Sequence, residues 1–195
     1  MRIAFAVLLG ISASLVAAQE NRIEAVGKSP VEAKFVAGGD LRFDLCSSGI
    51  EIVGRDEPML RLSFDSQRYE GRVKARIIVK GNQAEIRVTD CPHNNFQLRI
   101  EVPKTSDLYA RMFAGELDVR GVSGNKDVQL RAGQLNIEMG DPAEYAHVDA
   151  SVNSGEVNAS PYGVDKGGLF RSFDRSGPGK YRLHAHVGAG ELDLR

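Results

Sequence analysis

From about residue 40 onward, apolar side chains recur at every second position. Leu41, Phe43 and Leu45 alternate with Arg42 and Asp44. The same spacing returns at Leu60, Leu62 and Phe64, at Val73, Ala75, Ile77 and Val79, at Ile86 and Val88, and at Phe96, Leu98, Ile100 and Val102. A period of two places one set of side chains on one side of an extended strand, so each run predicts a strand with one buried face. Turn-forming residues separate the runs: Gly38-Gly39-Asp40, Ser48-Gly49, Asp56-Glu57-Pro58, Gly81-Asn82 and Pro92-His93-Asn94-Asn95. No stretch carries a sustained helical period. Asp141-Pro142-Ala143-Glu144-Tyr145 reads as one helical turn, with Asp141 as its N-cap and proline in the first turn.

The second half of the chain adds a repeat. Ala114-Gly115-Glu116-Leu117-Asp118-Val119 returns 18 residues later as Ala132-Gly133-Gln134-Leu135-Asn136-Ile137. Shorter copies follow at Gly155 ("SGEVNAS") and Gly190 ("AGELDLR"), at further intervals of 22 and 35 residues, the last close to two periods. A hairpin stack does not require the same polar letters to recur. A coil of strands does, because equivalent positions of successive turns lie about 4.8 Å apart. Eighteen residues at about 3.3 Å each give a circuit of about 60 Å, enough for three short faces with corners. Glycine at the start of each phrase suits a corner that needs positive φ or close backbone approach. One such coil cannot bury its own apolar face, and stacking builds the core. The expected fold is therefore all-β: a β-solenoid of stacked short strands with an N-terminal β-rich cap.

In that arrangement each copy sits on the last, with Leu117 over Leu135 over Val157 in one buried column. The residues between them point outward as two polar columns, Glu116, Gln134, Glu156 and Glu191, and Asp118, Asn136, Asn158 and Asp193. Stacked carboxylates repel at strand spacing, so the interleaved amides read as charge management. "SSGIEIVG" at residues 47–54 resembles the phrase but has its aliphatic residues shifted by one relative to glycine, and is not counted as a full copy.

The N-terminus sets the compartment. Met1-Arg2 precedes an apolar stretch from Ile3 to Leu15, then Val16-Ala17-Ala18 and polar Gln19-Glu20-Asn21. This has the layout of a secretory signal peptide over residues 1–18, too short for a membrane span. No cysteine follows the cleavage site, which argues against a lipid anchor, and no later stretch is long enough for a transmembrane anchor. The expected location is exported, either periplasmic or secreted. Residues 19–34 read as an N-terminal extension and residues 35–195 as one domain, with N-terminal strands at 35–105 and repeat rungs at 106–195. Loss of residues 1–18 removes Arg2 and no acid, taking the formal net charge from −1 to −2. Such near-neutrality lacks the basic footprint of a nucleic-acid partner.

Candidate chemistry is sparse. Cys46 and Cys91 form an even pair in an oxidising compartment, which favours a disulfide over two free thiols. A metal site using Cys91 and His93 offers too few ligands to be preferred. His184 and His186 lie two apart on a strand and share a face, so they are weak candidates for zinc or copper; no third ligand is identifiable, and solvent-facing histidines are the simpler reading. The acidic columns are flat, whereas calcium wants six to eight converging oxygens. No G-x-S-x-G elbow surrounds any serine. No catalytic residues are nominated and no cofactor is expected.

The series "AGELDV", "AGQLNI", "SGEV", with "GLFRSFDRSGPGKYRLHAHVGAGELDL" at residues 168–194 and "EVPKTSDLYAR" at 101–111, resembles the bacterial putative-adhesin domains of unknown function, which are similar to adhesin-head GIN domains. The likeness covers residues 35–195. It implies an exported β-solenoid, with no catalytic residues to carry over. Together these readings favour a non-enzymatic cell-envelope protein presenting a rigid polar surface to an envelope or surface ligand, protein or glycan. The alternatives are a carbohydrate-active β-helix enzyme, using the carboxylates with Arg120 and Arg131 nearby, and a metal-binding envelope protein. The last strand, Gly190–Arg195, ends at the terminus without a cap, which suggests self-association through the C-terminal strand.

Overall fold

The computed structural model describes residues 20–69, 71–92 and 95–195. The expected signal peptide at 1–18 and the candidate ligand His93 lie outside the described residues. Thirteen strands follow in chain order: β1 Glu20–Val26, β2 Val31–Lys34, β3 Gly39–Leu45, β4 Ser48–Arg55, β5 Met59–Ser63, β6 Lys74–Lys80, β7 Gln83–Thr89, β8 Gln97–Pro103, β9 Ser106–Arg120, β10 Lys126–Ile137, β11 Tyr145–Ala159, β12 Val164–Ser176 and β13 Tyr181–Leu194. All belong to one 13-stranded sheet whose path is open. The turn read at Asp141 is present: Pro142–Glu144 is a single 3-10 turn, with the Asp141 carboxylate accepting from the Ala143 N–H. Residues 20–34, read as an extension, supply β1, which pairs with β6, and β2, which pairs with β5.

The four long strands β9, β10, β11 and β13 are bent in the middle and serve two layers. Their first halves continue the row β1-β6-β7-β3, and their second halves continue the row β2-β5-β8-β4. The bends fall at Gly115, Gly133, Gly155 and Gly190, with φ of 126°, 128°, 137° and 137°. These four glycines are register partners of one another along the stack. A Cβ on Gly133 would lie 1.9 Å from the Gly115 carbonyl oxygen, so the corner excludes every other residue on space as well as on φ. Side-chain alternation changes phase at each corner. Leu108, Ala110 and Met112 face inward before the bend of β9, and Leu117 and Val119 after it. The inward residues of both layers join in a single buried cluster.

Parallel register holds along the stack, but its order differs from chain order. Leu117 pairs with Leu135, Leu135 with Leu192, and Leu192 with Val157. The expected direct placement of Val157 on Leu135 is therefore corrected: β13 lies between β10 and β11. The cause is β12, which turns back after Ser160–Tyr162 and runs antiparallel to β11, so the 35-residue interval is a hairpin excursion and not two coils. The C-terminal strand consequently has both edges paired, and the expected self-association through it has no free edge to use. A further correction concerns residues 47–54. Ile50 pairs with Leu117 and Ile52 with Val119, so this segment is a copy in full register, with Ser48 at the glycine position. The buried aliphatics set the register; the glycine requirement lapses because β4 begins at that position instead of bending through it.

Cys46 and Cys91 form the expected disulfide, with Cα atoms 5.9 Å apart and a sequence separation of 45. It ties the end of β3 to the residues just beyond β7. Closing a loop of that length stabilises by about 4 kcal/mol on chain-entropy grounds. The Cys46→Ala, Cys91→Ala double variant is expected to lose up to about 4 kcal/mol in urea unfolding. Gly133→Ala is expected to lose about 3 kcal/mol or fail to fold, whereas alanine at Gly81, which has open space around its Cβ position, costs less; unchanged urea midpoints for Gly133→Ala would contradict the corner geometry.

Candidate functional site

Outward positions of the second layer carry the sequence-nominated polar columns. In stack order the first reads Glu116, Gln134, Glu191, Glu156 and the second Asp118, Asn136, Asp193, Asn158. Acid and amide thus alternate strictly in the second column. Asn136 donates from Nδ2 to Asp118 Oδ1 at 2.9 Å, and Gln134 donates from Nε2 to Asn136 Oδ1 at 3.4 Å. In the first column the strand order places Glu191 between Gln134 and Glu156, so the two glutamates are direct register neighbours. Asp165 lies across from Asn158 on β12 and adds a third carboxylate. The Glu156 carboxyl is pushed up, chiefly by the charge of Asp165 and the hydrogen bond they share, then by slight burial and by Glu191.

Toward β5 this layer is a web of ion pairs. Arg99 meets Glu51 and Glu101, Arg55 and Arg61 both reach Glu101, Arg120 bridges Glu51 and Asp118, and Arg195 holds Asp193 at 2.6 Å. Every one of these arginines is neutralised by a neighbouring strand's or its own strand's carboxylate.

The outward side of the first layer is organised differently. Arg42, Arg111 and Arg131, on β3, β9 and β10, form no ion pair among the described residues. Each guanidinium lies against a ring: Arg42 at 5.5 Å and Arg111 at 4.8 Å from the Tyr109 centroid, and Arg131 at 5.2 Å from Phe113, which is 63% exposed. Arg42 and Arg111 line a shallow groove of about 400 Å³ together with Ile78, Tyr109, Arg76 and Arg87 and two carboxylates, Asp44 and Glu85. Arg87 is paired with Asp44 at 2.9 Å and Arg76 with Glu24 at 2.8 Å.

Further along the same layer the character becomes acidic. Asp127, His184 and Asp149 are register neighbours, and His184 Nδ1 lies 2.9 Å from Asp149 Oδ2. His186 Nδ1 is 3.0 Å from Ser151 Oγ, and His147 Nε2 is 3.1 Å from Asp174 Oδ2. His184 and His186 do share the outward face, as their spacing required. Each engages its own partner on β11. Among the described residues no group of three or more His, Cys, Asp or Glu side chains is arranged to hold a metal ion.

One functional oddity escaped the sequence reading. Lys126 begins β10 at an inward position, between Leu108 and Leu183, and is 2% exposed. Its Nζ donates to the Tyr145 hydroxyl at 2.7 Å and to the Gly124 carbonyl at 3.3 Å, and the Tyr145 hydroxyl donates on to the Met139 carbonyl at 3.0 Å. Burial pushes the Lys126 ammonium down to about 8, partly offset by Glu144 and Asp107. Burial, then Glu144, pushes the Tyr145 hydroxyl up. The sequence signal was available: in the alternation of β10, Lys126 takes a place in phase with Val128 and Leu130.

No family model matches the chain, and no curated protein matches it. Similar solved structures include the following two. One is described as a putative cell adhesion protein from Clostridium sporogenes, 15% identical, with a TM-score of 0.48 over 85% of this chain and 99% of that one. The other is described as a putative adhesin from Bacteroides fragilis, 9% identical, with a TM-score of 0.37 over 91% of this chain and 99% of that one.

Lys126 gives a pH test of the core. Its folded pKa lies below its unfolded value, so the unfolded chain binds more protons between pH 8 and 10, and stability rises over that window. Lys126→Met is expected to be more stable than wild type at pH 7, with the gap narrowing by about 2–3 kcal/mol between pH 8 and 10. Above pH 10 the raised Tyr145 pKa opposes this, because an unfolded tyrosine ionises first. A gap independent of pH would place the Lys126 ammonium in water.

Proposed function

We propose that this chain is a non-enzymatic, exported cell-envelope β-solenoid whose stacked coils present a rigid polar surface for binding, adhesion or scaffolding. The observation that carries the reading is the in-register stack itself, from Ile50 through Leu117, Leu135 and Leu192 to Val157. Backbone ladders on both edges of each central strand fix the outward side chains on a lattice, at spacings of about 4.8 Å between strands. A lattice of that kind binds repetitive ligands by matching their period. The disulfide supports an oxidising compartment and hence export. No helix among the described residues is long and apolar enough to cross a membrane.

The carbohydrate-active alternative has one observation in its favour, the carboxylate pair Glu156 and Asp165 with the raised Glu156 carboxyl. Glu156 is exposed on an open face, where no wall excludes water from a reacting bond. The metal-binding alternative rests on His184 and His186, whose Nδ1 atoms are engaged by Asp149 and Ser151.

A panel of bacterial envelope glycans and purified envelope proteins, assayed for both binding and product, tests the reading. Saturable binding with no product is expected. Product formation abolished by Glu156→Gln would replace the reading with the enzymatic one. Stoichiometric zinc or copper lost in a His184→Ala, His186→Ala variant would replace it with the metal-binding one.

A further inference from the structure

We infer that the outward side of the first layer holds a binding site for a carboxylated polysaccharide, a chain of uronate-type sugars, along the line Arg42, Arg111 and Arg131. This rests on the binding role proposed above and names its ligand class. Three observations carry it.

The first is the geometry of the line. Arg42 pairs with Tyr109 across β3 and β9, so Arg111, two residues further along β9, is its diagonal neighbour. Arg111 pairs with Gln129 across β9 and β10, so Arg131 is again the diagonal neighbour. The Cα positions of successive arginines are therefore about 7–8 Å apart on three consecutive strands. The rings of Tyr109 and Phe113 sit between them.

The second is the state of the cations. A guanidinium stacked on a ring uses its face and leaves its in-plane N–H groups free to donate. Arg42, Arg111 and Arg131 are therefore braced and form no ion pair among the described residues, although Glu85 and Asp44 are the register partners of Arg42 and Arg111; Asp44 is held by Arg87. Arg55, Arg61, Arg99, Arg120 and Arg195 on the other layer are all tied to carboxylates. Bidentate capture of a carboxylate is what such a fork is shaped for.

The third is what borders the line. The shallow groove that Arg42 and Arg111 line adds Ile78 and Tyr109, apolar surface suited to the C–H face of a sugar ring, and its four arginines outnumber its two carboxylates, Asp44 and Glu85. On the far side lie Asp127 and Asp149, which bar a ligand of high charge density from spreading along the layer. A nucleic-acid duplex carries one charge per about 1.7 Å, far denser than three cations at the spacing found here. A glycan with one carboxylate per sugar, or per pair of sugars, matches it better.

The probe is polygalacturonate, titrated calorimetrically against the disulfide-bonded mature chain, with fully methyl-esterified polygalacturonate and a 20-residue deoxythymidylate strand as comparisons. Expected are binding of polygalacturonate that weakens as salt is raised, and no binding of the ester. The Arg42→Ala, Arg111→Ala, Arg131→Ala variant should bind about tenfold or more weakly, with an unchanged circular-dichroism spectrum. The corresponding lysine variant should recover only part of the loss, because it keeps charge and loses the fork. Arg55→Ala, Arg61→Ala on the other layer should bind as wild type does. Failure of the wild type to bind polygalacturonate, equal binding by the triple alanine variant, or tighter binding of deoxythymidylate each overturns the site. The broader binding role fails separately, on the envelope panel, if wild type binds nothing there.

Discussion

The whole molecule depends on how closely successive corners approach. At Gly115, Gly133, Gly190 and Gly155 the backbone of one strand passes so near the next that an added Cβ would meet a carbonyl oxygen at 1.7–2.1 Å. Such approach locks the corners into one column, and a locked corner fixes register on both sides of it. A slip of one residue would turn every aliphatic residue to solvent, so the glycine column and the buried column enforce each other. From this follow the flatness of the outward surfaces and the identity of every neighbour across strands. The same constraint makes charge placement consequential. Carboxylates repeated at strand spacing repel, and the alternation of Asp118, Asn136, Asp193 and Asn158 relieves that repulsion in spatial order, although no such alternation is visible in chain order.

That contrast indicates what a linear reading could and could not reach. Strand content, the inward residues, the disulfide and the pairing of Leu117 with Leu135 were legible, because each rests on local period or on a nearby repeat. Stack order was not. β12 carries Leu169, Phe170 and Arg171 at its corner, with Gly167-Gly168 before them, and nothing in those letters distinguishes a strand that continues the coil from one that folds back. The copy at Ser48–Ile52 was missed because glycine was taken as the mark of register, when the aliphatic pair Ile50 and Ile52 is what the core reads. The members of the polar columns are register partners across strands. Their neighbours, and so the clustering of Glu156 with Glu191 and Asp165, needed the topology.

The candidate binding line was hidden for a different reason. Arg42, Arg111 and Arg131 occupy unremarkable outward positions in three separate strands, and arginine is common at such positions. What sets them apart is the partner each one has, which depends on strands distant in sequence. Tyr109 and Arg111 are two apart and so share a face, which is the only local hint. The first layer pairs Arg76 and Arg87 with Glu24 and Asp44 but rests Arg42, Arg111 and Arg131 against rings, beside a row that carries Asp127 and Asp149.

The stack also has to end without inviting another copy. β12 is the terminal strand, and positions opposite buried Val157, Val152 and Val148 are Lys166, Arg171 and Arg175, with only Phe173 buried among its side chains. Inward-pointing charge of this kind discourages further strand addition. Self-pairing meets a second obstacle. Because alternation changes phase at the corner, an antiparallel two-fold pairing that keeps each residue on its proper face sets Asp165 against Asp174 in one of the two fullest registers. In the other it sets Lys166 against Arg175. Like charges directly opposed destabilise a ladder. The terminal edge is thus blocked by sequence on β12, while the C-terminal strand is blocked by being enclosed between β10 and β11.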